Sequence, residues 1–258
     1  MDVLKNNCES IRILASRELN KHGINLKLKN LPRKKISVKR TCYGVAIRNL
    51  DMVDMILGKN KITIPKIFYN LCTFIGSDMN VEGIFRIEGS KIKQKNTIKY
   101  IDKQCRIPDD ISIIEAGAVL KAFIRNLPDA LIHQDYERWF VEAAKLPEDH
   151  IVEALLLAVF LLPLEHIYLL MYFMQFFQEI TTHSSTNKMD LHNMAIVISP
   201  NIFEQTNKVS AETSSIRCDI TKIMMQHAKE IGCVPEKIIQ KLDDFDTLQA
   251  QKKCRFFW

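Results

Sequence analysis

An all-α fold is the expectation for this chain, and three features carry it. Apolar residues recur three and four positions apart in one window after another. Capping and stop residues bracket those windows. Only 8 Gly and 8 Pro occur in 258 residues, too few for a turn-rich β architecture. An apolar fraction of 47% suffices for a buried core, and 26% charged residues suit a soluble surface.

The elements follow in order. Residues 3–20 fit a short amphipathic helix, with Val3, Leu4, Ile11, Leu14 and Leu19 on a loose stripe. LKLKNLPRKKISVKR (26–40) mixes apolar and basic residues without a clean period and reads as an extended lead-in, with the compact domain starting near Tyr43. Ile64, Ile67, Phe68, Leu71, Phe74 and Ile75 mark a helix from Pro65 to the stop at Gly76. A loop follows in which Gly83 and Gly89 bracket Arg86. Ser90 then suits the cap of a helix over 91–105 that buries Ile92, Ile98 and Ile101. Ser112 and Glu115 make an S-x-x-E capping box for a helix that runs to about Asn126, before Pro128. Its buried face carries Leu120, Phe123 and Ile124, with Leu127 just beyond. Lys121 and Arg125 lie one turn apart on its flank, a spacing that lets both cations reach one external site.

Helices at about 150–162 and 165–181 come next, separated by Pro163, which makes each apolar run too short to cross a bilayer needing ~20 residues. A polar turn, THSSTNK, precedes a helix from Asp190 to Ile198 that Pro200 ends. The helix over 214–231 buries Ile216, Ile220, Ile223 and Met224, and Gly232 closes it. A short helix at 236–243 follows Pro235. No segment reads convincingly as a strand.

Charge is unevenly spread. Residues 1–41 hold 11 Lys or Arg against 3 Asp or Glu, so the rest is near neutral within a chain of net charge +6. The body is therefore no nucleic-acid surface, and no specific nucleic-acid partner is expected. The seven Cys are scattered, with no C-x-x-C pair, which fits reduced thiols in a cytosolic or nuclear setting. Cys72, Cys105 and Cys233 read as small core residues. Phosphate-loop, dinucleotide, zinc-protease and nucleophile-elbow motifs are missing. The seven His, His166 and His192 among them, suit surface or capping roles. What remains is a set of Arg, Lys and Asn without a nucleophile or base, suited to a protein whose partner brings the reaction. On spacing alone, Arg86 in its glycine-bracketed loop reads as a surface arginine ahead of a functional one.

Six blocks in order resemble the Rho GTPase-activating (RhoGAP) domain family over about Tyr43 to Phe245. They are YGVAI (43–47), IPKIFYNLCTFI (64–75), EGIFRIEGS (82–90), AVLKAFIRNLPDALI (118–132), LPLEHIYLLMYFMQFFQEI (162–180) and STNKMDLHNMAIVISPNIF (185–203). The basic lead-in and IGCVPEKII (231–239) are most similar to the Rho GTPase-activating protein 11 group. The resemblance implies a RhoGAP-like helical bundle over 43–245, with a basic extension at 1–42 and a tail at 246–258.

It also implies an activity: acceleration of GTP hydrolysis on a Rho-family small GTPase, with Rac and Cdc42 as open alternatives to a Rho-type partner. Such a chain is not itself a complete enzyme, since GTP and magnesium come with the GTPase and no cofactor of its own is expected. The resemblance places Arg86 as the catalytic arginine finger. Lys121 and Arg125 would support the finger loop and touch the GTPase. Asn193 matches an Asn of the GTPase-facing surface, and Asn187, Pro200 and Asn201 would frame the same face. Two positions depart from the family's pattern. Ser199 stands where Gly commonly precedes Pro200, and LPDALI replaces LPEPLI. A non-catalytic adaptor that binds a GTPase without accelerating hydrolysis is the rival reading. The basic segment 1–41 fits contact with an anionic membrane, a nuclear address or a plain linker. Cytoplasmic, nuclear and membrane-peripheral placement all remain open.

Overall fold

The structure, a computed structural model, describes residues 3–27, 41–204 and 209–242. Two helices open it, α1 (Val3–Asn6) and α2 (Cys8–Lys21). The stripe expected here is real: Leu4, Ile11, Leu14 and Leu19 are buried in the common core, and α2 packs on α7 (Glu148–Val159). This segment is thus part of the packed body and not an extension apart from it. The RKK run at 33–35 and residues 243–258 lie outside the described residues.

A β-hairpin corrects the expectation of no strand. Strands β1 (Met52–Leu57) and β2 (Asn60–Pro65) pair antiparallel from Met52 opposite Pro65 to Leu57 opposite Asn60. Gly58, at φ +60, takes the first place of the two-residue loop, as tight hairpins of this twist favour. Ile62 and Ile64 are two apart and both buried, the period of a strand. The reading assigned Ile64 to a helical stripe because it also falls three before Ile67. Pro65, lacking an N–H, ends the strand and caps α3 (Lys66–Gly76).

The remaining helices are α4 (Lys91–Gln104), α5 (Ile113–Arg125), α6 (Gln134–Ala143), α8 (Leu164–Thr181), α9 (Ser184–Asn187), α10 (Leu191–Ile202) and α11 (Ala211–Gln226). The Ser112–Glu115 capping box is present in full. Helix α6 had no counterpart in the sequence reading. Helix α8 supplies the centre of the core through Met171, Phe173, Met174, Phe176 and Phe177, all buried. Residues 236–242 form a further helical segment, whose Ile238 and Leu242 are buried.

Several local expectations change. Ile92 is 74% exposed instead of buried, while Ile101 is buried and Ile98 partly so. Ile216 and Ile223 are only partly buried beside the buried Ile220 and Met224. Pro200 lies inside α10 and does not end it. The helix loses one bond there, yet Asn201 Nδ2 donates back to the Val197 carbonyl and the ladder resumes. His166 is buried, and its Nδ1 lies 3.0 Å from the Leu131 carbonyl; burial pushes its pKa down. Cys72 is buried as expected, but Cys105 and Cys233 are exposed.

Two ionic contacts tie distant elements together. Arg217 of α11 grips Glu137 of α6 with two bonds of 2.6 and 2.8 Å, both residues buried, and gives a third to the Glu204 carbonyl at 3.1 Å. Fully bonded in this way, the pair avoids the large penalty of a lone buried charge. At the other end Glu18 of α2 accepts from Lys21 at 2.9 Å and from Lys241 at 2.6 Å. Burial would raise the Glu18 pKa, but the hydrogen bonds from Lys241 and Lys21 outweigh it and hold it at about 2. Its folded pKa lies below the usual 4.5, so the stability it contributes is complete above 4.5 and is lost as pH falls toward 2. Thermal melts between pH 6 and about 2 should therefore show a Glu18→Gln variant less stable at neutral pH, with a shallower loss in acid than the parent.

Candidate functional site

The loop between α3 and α4 is held from below on both sides of Arg86. Gly83, at φ +70, lets the chain turn sharply, so that the Arg86 and Ile87 N–H groups donate to its carbonyl at 2.9 and 2.8 Å. A Cβ at this position would lie 2.6 Å from Ile87 Cδ1, so the site admits glycine on both conformation and space. Ile84 and Phe85 then dive into the core, each fully buried. The Phe85 ring meets Phe177 edge-on at a centroid distance of 4.9 Å and Phe176 at 6.4 Å. Phe85 has φ +64, a region costly for a bulky side chain, and its packed ring is what keeps it there.

Gly117 in the middle of α5 lies against that ring, where an added Cβ would sit in ordinary contact, 3.4 Å from Phe85 Cδ1. With two consecutive residues anchored inward, Arg86 points outward. It is exposed, and among the described residues its guanidinium has no hydrogen bond or ion pair.

Lys121 sits beneath this loop. It is 5% exposed, and its Nζ donates to the Phe85 carbonyl at 2.6 Å, with Glu88 at 3.6 Å. Burial pushes its pKa down, and Glu88 partly restores it. The spacing of Lys121 and Arg125 suggested two cations aimed at one external site. Instead Lys121 points under the loop, and Arg125 alone is exposed. Helical periodicity fixes their angle to one another but not which side of the pair the loop covers.

Asn187, expected on the exposed face, is fully buried. Its Nδ2 donates to the Met79 and Ile180 carbonyls, both at 2.9 Å, and its Oδ1 accepts from the Met189 N–H at 2.8 Å. Its own carbonyl accepts the Gly83 N–H at 2.8 Å. Its Nδ2 thus joins the loop to the end of α8, and its carbonyl holds the loop a second time at Gly83. Asn80 adds a second tie, accepting from Thr186 Oγ1 at 2.8 Å.

Asn193 is half-buried at the start of α10, where its N–H is capped by Asp190 at 2.8 Å. Pro200 lies on the exposed side of α10, seven residues on and so near the same face, whereas Asn201 is buried. The structure thus joins Arg86, Lys121 and Asn187 in one unit and leaves Arg125, Asn193 and Pro200 around it as surface groups. Phe85, Glu88 and Gly117 were not singled out from the sequence. A glycine inside an otherwise strong helix was the available signal for the last.

The arrangement is a projection and not a pocket. A groove of about 740 Å³ exists between the hairpin tip, α8 and the end of α11; Phe176 lines it, but Arg86, Lys121 and Asn187 do not. Among the described residues no cluster of His, Cys, Asp or Glu is suited to a metal, and no helix is long and apolar enough to cross a membrane.

The RhoGAP domain family matches residues 65–207, more than half of the chain. The chain belongs to the RhoGAP domain family. It is 28% identical to human Rho GTPase-activating protein 11A over 185 residues, covering 69% of this chain and 18% of that protein. It is 29% identical over 235 residues to the Rho-GTPase-activating protein LRG1 of Saccharomyces cerevisiae, covering 76% and 23%. The chain thus spans about a fifth of the length of these relatives.

Solved structures agree on the fold. Human Rho GTPase activating protein 15 aligns with a TM-score of 0.65 at 20% identity, over 76% of this chain and 93% of that one. The BH domain from Graf, the GTPase regulator associated with focal adhesion kinase, gives 0.61 at 21% identity, over 66% and 95%. The RhoGAP match begins at the end of β2, so the hairpin and α2 precede the shared region while packing into the same core.

The two demands on Gly83 can be separated from conformation alone. Gly58 also has positive φ, but no atom lies within 4 Å of a Cβ built there. Gly58→Ala should cost about 1 kcal/mol of unfolding free energy in chemical denaturation, the strain of the backbone alone. Gly83→Ala should cost clearly more, about 2–3 kcal/mol, because Ile87 must also move.

Proposed function

We propose that this RhoGAP domain accelerates GTP hydrolysis on a Rho-family small GTPase by inserting Arg86 as an arginine finger. The observation that carries the reading is the contrast at the loop tip: a solvent-facing guanidinium without a partner among the described residues, on a backbone fixed by buried groups on either side. Charge builds on the transferred phosphoryl oxygens in the transition state, and a cation already in place stabilises it without reorganising. Arginine suits this because its planar fork stays charged and contacts two oxygens at once. The GTPase would bring nucleotide, magnesium and attacking water, so the domain needs no nucleophile or base.

Each part then has a role. Lys121 acts through the loop, donating to the Phe85 carbonyl and positioning the finger, while Arg125, Asn193 and Pro200 face the GTPase. Asn187 and Asn201 support the scaffold from inside. A Rho-type GTPase is the first candidate partner, with Rac and Cdc42 as alternatives, because the names of the similar proteins point to the Rho family. Membrane contact through residues 1–41 falls to the basic stretch at its end, because the apolar stripe of α2 is already used in the core.

Single-turnover hydrolysis tests the proposal. Arg86→Ala should lower the stimulated rate by about 10³-fold or more, equivalent to at least ~4 kcal/mol, while leaving most of the binding to the GTPase. Equal rates for the parent and Arg86→Ala, with binding intact, would identify an adaptor in place of an activator. Lys121→Met should slow hydrolysis by a smaller factor, roughly 10- to 100-fold, through a displaced loop.

A further inference from the structure

The chain at residues 41–43 is laced to the last turn of α4. Thr41 Oγ1 donates to the Asp102 carbonyl, and the Cys42 and Tyr43 N–H groups donate to Asp102 Oδ1 at 3.1 and 2.9 Å. One carbonyl, that of Ile101, then gathers two cysteines. It accepts the Cys42 thiol at 3.8 Å and the Cys105 N–H at 2.8 Å. The shared carbonyl thus brings the Cys42 sulfur and the Cys105 backbone to one point at the end of α4.

The two sulfurs differ in access. Cys42 is 5% exposed, and burial, reinforced by Cys105, pushes its thiol up to about 12. Cys105 is exposed and sits at φ +53, a left-handed helix end where glycine is the usual occupant. Neither residue contributes to the Arg86 loop or its support.

We propose that Cys42 and Cys105 are a paired oxidation site, which small disulfides such as oxidised glutathione convert into an intramolecular bridge. The solvent-facing Cys105 reacts first. Its thiolate attacks one sulfur of oxidised glutathione, forms a mixed disulfide and releases one glutathione thiolate. Cys42 then loses its proton and attacks the Cys105 sulfur, and the second glutathione leaves and takes up that proton. Two protein thiols are oxidised, and one oxidised glutathione is reduced to two glutathiones. The high pKa of Cys42 slows this second step, and its fixed position on the Ile101 carbonyl that also holds the Cys105 N–H offsets that through effective concentration. The ring so closed contains the hairpin, α3, the whole Arg86 loop and α4. A hydrogen-bonded clasp at the base of the loop-bearing segment thereby becomes a covalent one.

The full chain is incubated with oxidised glutathione near neutral pH, digested without reduction and mapped by mass spectrometry, with thermal unfolding followed in parallel. The expected result is a dominant link between the peptides of Cys42 and Cys105, reversed by dithiothreitol. The unfolding temperature should rise by about 5–10 °C, as closing a ring of this length restricts the unfolded chain. A Cys42→Ser variant should hold glutathione on Cys105 and show no such rise. A lasting glutathione adduct on Cys105 of the parent with Cys42 still reduced would overturn the proposal. So would a map dominated by bridges to other cysteines, or a bridge that leaves the unfolding temperature unchanged or lower.

Discussion

The geometry of the Arg86 loop depends on a single buried contact, the Lys121 ammonium beneath the Phe85 carbonyl at 2.6 Å. Phe85 occupies a backbone region that its side chain disfavours. Two forces hold it there: the ring locked among the aromatics of α8, and the cation that satisfies the inverted carbonyl. Either alone would leave a strained residue or an unmet acceptor in the interior. Together they turn the following residue outward, so the exposure of Arg86 follows from what its neighbour does inside.

Glycine, aromatic and amide side chains divide the labour around that contact. Gly83 makes the turn, Gly117 lies against the ring, and Asn187 stitches the loop to α8 through its Nδ2 while its Oδ1 holds the Met189 N–H. A polar group so completely bonded is stable in the interior and rigidifies what it joins. The support therefore comes from three separate stretches of chain, α5, α8 with α9, and the loop itself, which is the arrangement a stiff projection requires.

How much of this was legible in the sequence depends on whether the signal was local. The capping box at Ser112 and Glu115, the helical stripe of α3 and the glycine bracket around Arg86 are decided within a few residues, and each was readable. The β-hairpin was not, because Ile64 satisfies a period of two and a period of three at once and only the pairing with Val53 separates them. The burial of Lys121 and Asn187 was likewise invisible. Polarity argues for a surface position, and only a distant partner reverses it: Phe85 for the first, Met79 for the second. Cys105 was read as a core residue from its type, whereas the left-handed end of α4 turns it to solvent. The Arg217–Glu137 pair escaped notice for the same reason, as nothing near either residue announces a partner 80 positions away.

The bond from Lys241 to Glu18 spans 223 residues, nearly the whole length of the chain. During synthesis at about 5–20 residues per second, α2 emerges ~10–45 s before its C-terminal counterpart. Through that interval Glu18 has Lys21 for company, while the site of Lys241 stays vacant. The ends of the domain are therefore sewn together last, and a nascent chain halted short of residue 236 carries every part of the Arg86 loop but lacks the seam, Lys237 and Lys241 on Glu18, that joins its first long helix to the segment at 236–242.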